Sequence, residues 1–251
     1  MLRPFRLAPA VLLALLVGGC PLPIEVISVH PHDELAYTQG LLLVEGMLYE
    51  STGLYGRSSL REVDPQTGEV IRQVALPSSY FGEGLARVND RLIQLTYHAE
   101  TAFVYDLETF EVVDSYEYEG EGWGLCHDGV ELVMSNGSAT LTFRDPETFE
   151  ALHTVNVRNN GVPVPFLNEL ECVGESVYAN IYRSDRIVKI EKGSGRVSAV
   201  FDASGLLTPE EQADADVLNG IAYVPQSGTF LITGKLWPKL FEVGLAVLEV
   251  G

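Results

Sequence analysis

Positive charge is scarce in this 251-residue chain: 16 Lys and Arg stand against 35 Asp and Glu, a formal net charge of −19. A surface that acidic repels phosphate backbones, so nucleic-acid binding is excluded. Docking on anionic lipid is disfavoured, whereas cationic or amine-bearing ligands are attracted. Cysteine is scarcer still, at three, with no CxxC pair and no zinc-ligand spacing, which excludes a disulfide scaffold or a zinc module. Histidines are few. His30-Pro31-His32 reads as an exposed turn with no carboxylate cluster to make a metal site of it, and His98, His127 and His153 are scattered, solvated or structural. Ser51 and Ser138 have no Ser-His-Asp context. Beyond residue 20 no apolar run is long enough for a membrane-spanning helix. What is plentiful is glycine (24) and tyrosine (11), a composition suited to many short strands joined by tight turns.

The one long apolar run, Leu7 to Val17, follows Arg3 and Arg6 and ends at Gly18-Gly19-Cys20. A positive n-region, an h-region too short to span a bilayer and small residues at a cleavage point read as a secretory signal. Val17-Gly18-Gly19-Cys20 resembles the bacterial lipobox, so residues 1–19 are expected to be removed and Cys20 to become a lipidated N-terminus. That places the protein outside the cytoplasm, in a bacterial cell envelope, touching membrane through its anchor alone. Residues 20–251 then form a single domain. Cys126 and Cys172 lie in apolar strand-like runs at different repeat phases and are expected to be buried, unpaired thiols.

Self-similarity organises the rest. A polar or aromatic residue, then Gly-Leu, then alternating apolar residues recurs at Gln39-Gly40-Leu41, Glu83-Gly84-Leu85, Trp123-Gly124-Leu125, Asn168-Glu169-Leu170 and Asn219-Gly220-Ile221, at intervals of 44, 40, 45 and 51 residues. Each of the first four copies is followed by a further hairpin with a turn such as Asp64-Pro65-Gln66-Thr67-Gly68 or Lys192-Gly193-Ser194-Gly195. Four short strands per 40–50 residues is the period of a β-propeller blade, and five copies predict an all-β, five-bladed propeller. The fifth copy stops early, near Val243, so the opening strand Ile24 to Val29 is predicted to pair with it and close the ring, leaving no free sheet edge there. Residues 204–216 read as an insertion carrying a short helix, with Thr208 as N-cap and Pro209 at its first position.

Residues at one phase of a propeller converge on its axis. The first phase holds Gln39, Glu83, Trp123, Asn168 and Asn219. Tyr97 and Tyr182 lie fourteen residues after Glu83 and Asn168, and Lys235 sixteen after Asn219. One carboxylate, three carboxamides, one ammonium and three aromatics aimed at one place describe a small-ligand pocket, although the same phase also serves packing between blades. Glu83 sits between two glycines behind Phe81. Partial desolvation there would raise its pKa toward acid–base use; a structural salt bridge to Lys235 is the alternative.

Several segments resemble those of the plant and bacterial glutaminyl-peptide cyclotransferases. They are Tyr37-Thr38-Gln39-Gly40-Leu41, Tyr49 to Gly56, Phe81-Gly82-Glu83-Gly84-Leu85, Gly122-Trp123-Gly124-Leu125, Leu167 to Glu171 and Thr233 to Val243. The resemblance runs in order over about residues 26–243. It implies a five-bladed propeller and cyclisation of N-terminal glutamine to pyroglutamate with release of ammonia, without metal or other cofactor, on a peptide or protein substrate, with a monomer expected. It puts the acid–base carboxylate at Glu83, a pocket lysine at Lys235, pocket amides at Gln39 and Asn168, and a site tryptophan at Trp123; Phe81, two residues before Glu83, is expected to contact the substrate as well. Tyr97 and Tyr182 stand where the family carries tryptophan, which keeps an aromatic wall but shrinks it. Oxyanion donors would come from Gln39, Asn168 or Lys235. Two other readings of the same fold are a non-catalytic lipoprotein binding a ligand or protein at the channel mouth, and a metal-dependent lactonase-type propeller.

Overall fold

A computed structural model describes residues 21–245, so the signal segment and Cys20 lie outside the described residues. Five antiparallel sheets are arranged as blades around a common axis. Blade 1 runs from its inner strand Thr38–Val44 through Met47–Thr52 and Ser59–Val63 to Val70–Ala75. Blade 2 comprises Gly82–Val88, Arg91–Thr96, Thr101–Asp106 and Val112–Glu117. Blade 3 comprises Leu125–His127, Leu132–Met134, Thr140–Arg144 and Ala151–Asn156. Blade 4 comprises Leu167–Val173, Ser176–Ile181, Arg186–Glu191 and Val197–Asp202, with Leu22–Pro23 added in parallel on its outer edge. In blade 5, Leu218–Val224, Thr229–Gly234 and Lys239–Gly244 are completed by Glu25–Pro31, which pairs antiparallel with the last of them. The ring therefore closes through the N-terminal strand as the short fifth repeat predicts.

Blade stacking explains the hydropathy pattern. Outer strands such as Val70–Ala75 alternate between half-buried and exposed residues, the period of a sheet with one wet face. Inner strands such as Thr38–Val44 are buried almost throughout, because each is covered on both faces by its neighbours. Five apolar clusters result, one per seam, and alternate residues of one strand serve different seams. Leu41 packs toward blade 5 and Leu42 toward blade 2. The turns between third and fourth strands repeat as well. Asp64, Asp106 and Asp145 each accept main-chain N–H groups two and three residues on, which fixes the turn.

Near the axis the strands crowd. A methyl group on Gly124 would lie 2.0 Å from the Asn168 carbonyl oxygen, and one on Gly84 2.5 Å from the Leu125 nitrogen. Blade 4 departs from this rule: Glu169 replaces the glycine, and its fully buried carboxylate accepts from the Ile221 N–H at 2.8 Å and the Leu41 N–H at 3.2 Å. One side chain thus ties the inner strands of blades 4, 5 and 1 together across the axis.

Two sequence expectations are corrected. Cys126 and Cys172 form a disulfide, with Cα atoms 5.5 Å apart and a sequence separation of 46. Cys126 follows Leu125 by one residue and Cys172 follows Leu170 by two, so the thiols face opposite sides of their own blades. Neighbouring blades stack face to face, and opposite faces meet at the seam between blades 3 and 4. The difference in phase therefore favours pairing. Cross-linking a loop of this length is worth ~4 kcal/mol, so Cys126→Ala/Cys172→Ala is expected to lower the thermal midpoint by ~10 °C. Melting curves with and without reductant check this: reductant should reproduce the loss in the unmodified protein and leave the double variant unmoved.

His30-Pro31-His32 is no exposed turn. His30 and Pro31 end the closing strand, and His32 is buried. Its Nδ1 lies 2.8 Å from the Trp237 carbonyl and its Nε2 3.2 Å from Glu50 Oε1. Glu50, itself fully buried, also accepts from Thr38 Oγ1 at 2.6 Å and from the Arg61 guanidinium. That guanidinium and His32 hold the Glu50 carboxyl well below the usual carboxylate range against its own burial. The network locks blade 1 to the chain entering from blade 5.

The predicted insertion is present: helix Pro209–Gln212 is capped by Thr208, whose hydroxyl accepts from the Glu211 N–H while Glu211 Oε2 accepts from the Thr208 N–H.

Candidate active site

Four inner strands are irregular at the same phase. The pairing register with the second strand slips at Thr38/Gly40, Gly82/Leu85, Leu167/Leu170 and Leu218/Ile221. A bulge re-aims the side chain it contains, and these bulges contain Gln39, Glu83, Asn168 and Asn219. In blade 3, Trp123 precedes the inner strand at the corresponding point. In blades 2, 4 and 5 the residue directly after the second strand supplies the other half of the site: Tyr97 follows Thr96, Tyr182 follows Ile181 and Lys235 follows Gly234. In blade 1 that position is Gly53, where a methyl group would strike the Phe81 ring at 2.3 Å, so the glycine makes room for the phenyl group.

These residues enclose a cavity of about 180 Å3, lined by Tyr37, Gln39, Phe81, Glu83, Tyr97, Trp123, Asn168, Tyr182 and Lys235. Its size is below the roughly 300–1,000 Å3 of pockets for drug-sized ligands. It suits a single small side chain. The wall is a chain of rings: Tyr37 to Phe81 at 6.1 Å, Phe81 to Tyr97 at 5.9 Å, Tyr97 to Trp123 at 6.5 Å and Trp123 to Tyr182 at 5.4 Å between centroids. Lys235 closes the circuit, its ammonium 5.3 Å from the Tyr182 ring and 4.8 Å from that of Tyr37. Two acidic residues brace the wall from outside. Trp123 Nε1 donates to Glu121 at 2.9 Å, and the Tyr37 hydroxyl to Asp216 at 3.1 Å.

Glu83, Gln39, Asn168 and Lys235 are each at least 96% buried. Gln39 Nε2 donates to Glu83 Oε1 at 2.9 Å, and among the described residues nothing donates to Glu83 Oε2. Burial pushes the Glu83 pKa well above the ordinary glutamate value, against the pull of the Lys235 charge, and Glu121 adds to the rise. Burial likewise holds Lys235 below the ordinary lysine value, opposed by Glu83 and Asp216. No ion pair joins Glu83 and Lys235 among the described residues, so the salt-bridge alternative for Glu83 falls away. Lys235 keeps its donors for whatever enters. Asn168 Oδ1 is buried with no hydrogen-bond partner among the described residues, an acceptor that a ligand N–H would satisfy.

Every residue picked out for the pocket from the repeat phase or the family resemblance lies in this cavity, with one exception. Asn219 stands behind the wall, donating to Gln39 Oε1 at 3.1 Å. Gln39, offered as an oxyanion donor, gives one N–H to Glu83 and accepts from Asn219 through Oε1, which leaves the second N–H of its Nε2 without a partner among the described residues. Sequence reasoning missed Tyr37 as a lining residue, although the signal was present: Tyr37 precedes Gln39 by two residues as Phe81 precedes Glu83. It also missed the bracing residues Glu121 and Asp216, which no repeat phase marks. Among the described residues no group of three or more His, Cys, Asp or Glu side chains is placed to hold a metal ion.

Comparison with known proteins converges on one group. Residues 19–245 match the family model described as glutamine cyclotransferase. The chain is 41% identical over 227 residues to a glutaminyl-peptide cyclotransferase of Arabidopsis thaliana, covering 88% of this chain and 71% of that protein. The crystal structure of Myxococcus xanthus glutaminyl cyclase superposes with a TM-score of 0.81 at 38% identity, over 91% of this chain and all of the other.

Proposed function

This chain belongs to the glutamine cyclotransferase family, and on that premise we propose that it converts the N-terminal glutamine of peptides or proteins to pyroglutamate, releasing ammonia, with Glu83 as proton shuttle and no metal. The observation that carries the mechanism is the state of Glu83: buried in the cavity lining, proton-hungry, tethered to Gln39 through Oε1, with no donor to Oε2 among the described residues.

The residue types fit each step. The substrate's α-amine, in its neutral form, attacks the carbon of its own γ-carboxamide. The new N–C bond closes the ring, and the amine proton passes to Glu83. Glu83 then returns that proton to the carboxamide nitrogen as its C–N bond breaks, and ammonia leaves. One carboxylate serves as base and then acid, which suits a pKa raised by burial above the ordinary glutamate value. The tetrahedral intermediate carries an oxyanion, for which the Lys235 ammonium is a donor without a hydrogen-bond partner among the described residues, with the Asn168 and Gln39 NH2 groups beside it. Asn168 Oδ1 accepts an N–H of the amine or carboxamide. The rings of Trp123, Tyr97, Tyr182 and Phe81 hold the flexible glutamine side chain folded back on its amine, which supplies the orientation term. Export and lipid attachment through Cys20 belong to the same proposal, supported by Arg3, Arg6, the apolar run and Gly18-Gly19-Cys20.

The test uses residues 21–251 and a short peptide beginning with glutamine, following ammonia release and peptide mass with and without a chelator. Release above the spontaneous rate and indifferent to chelation is expected. Binding of the peptide without turnover by a folded sample would favour a non-catalytic binding module, and loss of turnover with chelator a metal-dependent enzyme.

A further inference from the structure

We propose that Asn219, which lies outside the cavity, is a positioning residue: by fixing the direction of the Gln39 carboxamide it makes Glu83 Oε2 the oxygen that carries the proton. The proton-carrying role of Oε2 rests on the cyclase reading, and the positioning on geometry alone.

Asn219 is completely buried. Its Nδ2 donates to the main-chain carbonyl of Thr38 at 3.0 Å and to Gln39 Oε1 at 3.1 Å. A main-chain carbonyl can only accept, so the Asn219 group against it is the NH2. That makes the Gln39 atom facing Asn219 the carbonyl oxygen, and the Gln39 group facing Glu83 the NH2, 2.9 Å from Oε1. The hydrogen bonds to the carboxylate therefore run one way, from Asn219, whose NH2 is oriented by the blade 1 carbonyl, through Gln39 to Glu83. A proton on Glu83 Oε1 would confront a hydrogen of Gln39, whereas a proton on Oε2 meets no donor among the described residues. Asn219 Oδ1 is buried without a partner among them, an uncompensated cost. Only the donor half of the side chain is used, held by the Thr38 carbonyl and presented to Gln39.

The experiment follows the Glu83 carboxyl carbon by 13C NMR across pH, assigned by its disappearance in Glu83→Gln, together with kcat and KM for a glutamine-initiated peptide. Asn219→Leu keeps the volume and removes the donor; Asn219→Ser is the smaller second variant. Losing a directed donor to the carboxylate is expected to raise the Glu83 midpoint by about one unit and lower kcat at a fixed pH below it about tenfold, with KM within twofold. In a Gln39→Leu background, adding Asn219→Leu should move neither quantity further. In the unmodified protein the Gln39 side-chain NH2 signals should shift with the Glu83 midpoint, which requires no variant to fold. An unmoved midpoint in folded variants, effects that add in full on Gln39→Leu, or Gln39 signals blind to Glu83 would overturn the proposal. A titration that behaves as expected without any peptide turnover would overturn the cyclase reading and leave the positioning standing.

Discussion

Glu83→Gln is expected to lower kcat for a glutamine-initiated peptide by about 10²–10⁴-fold, the range for removal of a general acid–base group, with KM changed little. Glutamine keeps the size and can still bond to Gln39, so the cavity persists while its one proton carrier is gone. The fold should not suffer. Glu83 has its pKa raised on folding, so between its unfolded and folded values the native state holds more protons than the unfolded state. Stability then declines as pH rises through that interval. Glutamine has no charge to bury, so the variant's thermal midpoint should equal or exceed that of the unmodified protein at the alkaline end. Steady-state kinetics beside melting curves at several pH values separate the two effects. An inactive variant that also melts early would mean that Glu83 supports structure, and retained turnover would remove it from the mechanism. In the unmodified protein kcat should fall as pH drops through the raised pKa of Glu83, well above the ordinary glutamate range.

Lys235→Met is the second large effect, a fall in kcat of about 10²–10³-fold, typical of losing one donor to a developing oxyanion. Methionine matches the length and can lie between Tyr37 and Tyr182, where the ammonium now sits, so packing is conserved and charge is removed. Loss of that charge also removes the pull that restrains the Glu83 pKa. The acid limb of the pH profile should therefore move to higher pH in the variant, a shift that simple loss of binding would not produce. In the unmodified protein an alkaline limb should appear below the ordinary lysine range as Lys235 loses its proton; that limb should be missing from Lys235→Met. A variant with intact kcat and raised KM would instead assign Lys235 to ground-state binding.

Much of the fold and the chemistry-bearing set follows from the sequence by itself, because a propeller is periodic. One local pattern, repeated five times, dictates the strands, the number of blades and the phase at which side chains reach the axis. Glu83, Gln39, Asn168, Trp123, Tyr97, Tyr182 and Lys235 can all be found by position in the repeat without knowing any distance. The same periodicity announces the missing strand of blade 5 and so the closure by Glu25–Pro31. What the tertiary structure alone decided lies between repeats or departs from them. The disulfide joins opposite faces of adjacent blades, a relation invisible when each strand is read against its own sheet. His32 looks like a turn residue until blade 1 brings Glu50 and Arg61 beside it. Glu169 reads as a flaw in the Gly-Leu pattern, and becomes a reason for itself when the Leu41 and Ile221 N–H groups meet it at the axis. The direction of the hydrogen bonds from Asn219 through Gln39 to Glu83 depends on one backbone carbonyl, that of Thr38, which accepts from Asn219. Repetition is a local property that a chain carries in its order of residues. Contacts between unlike faces are set by how five units stack around an axis, and there packing has the final say.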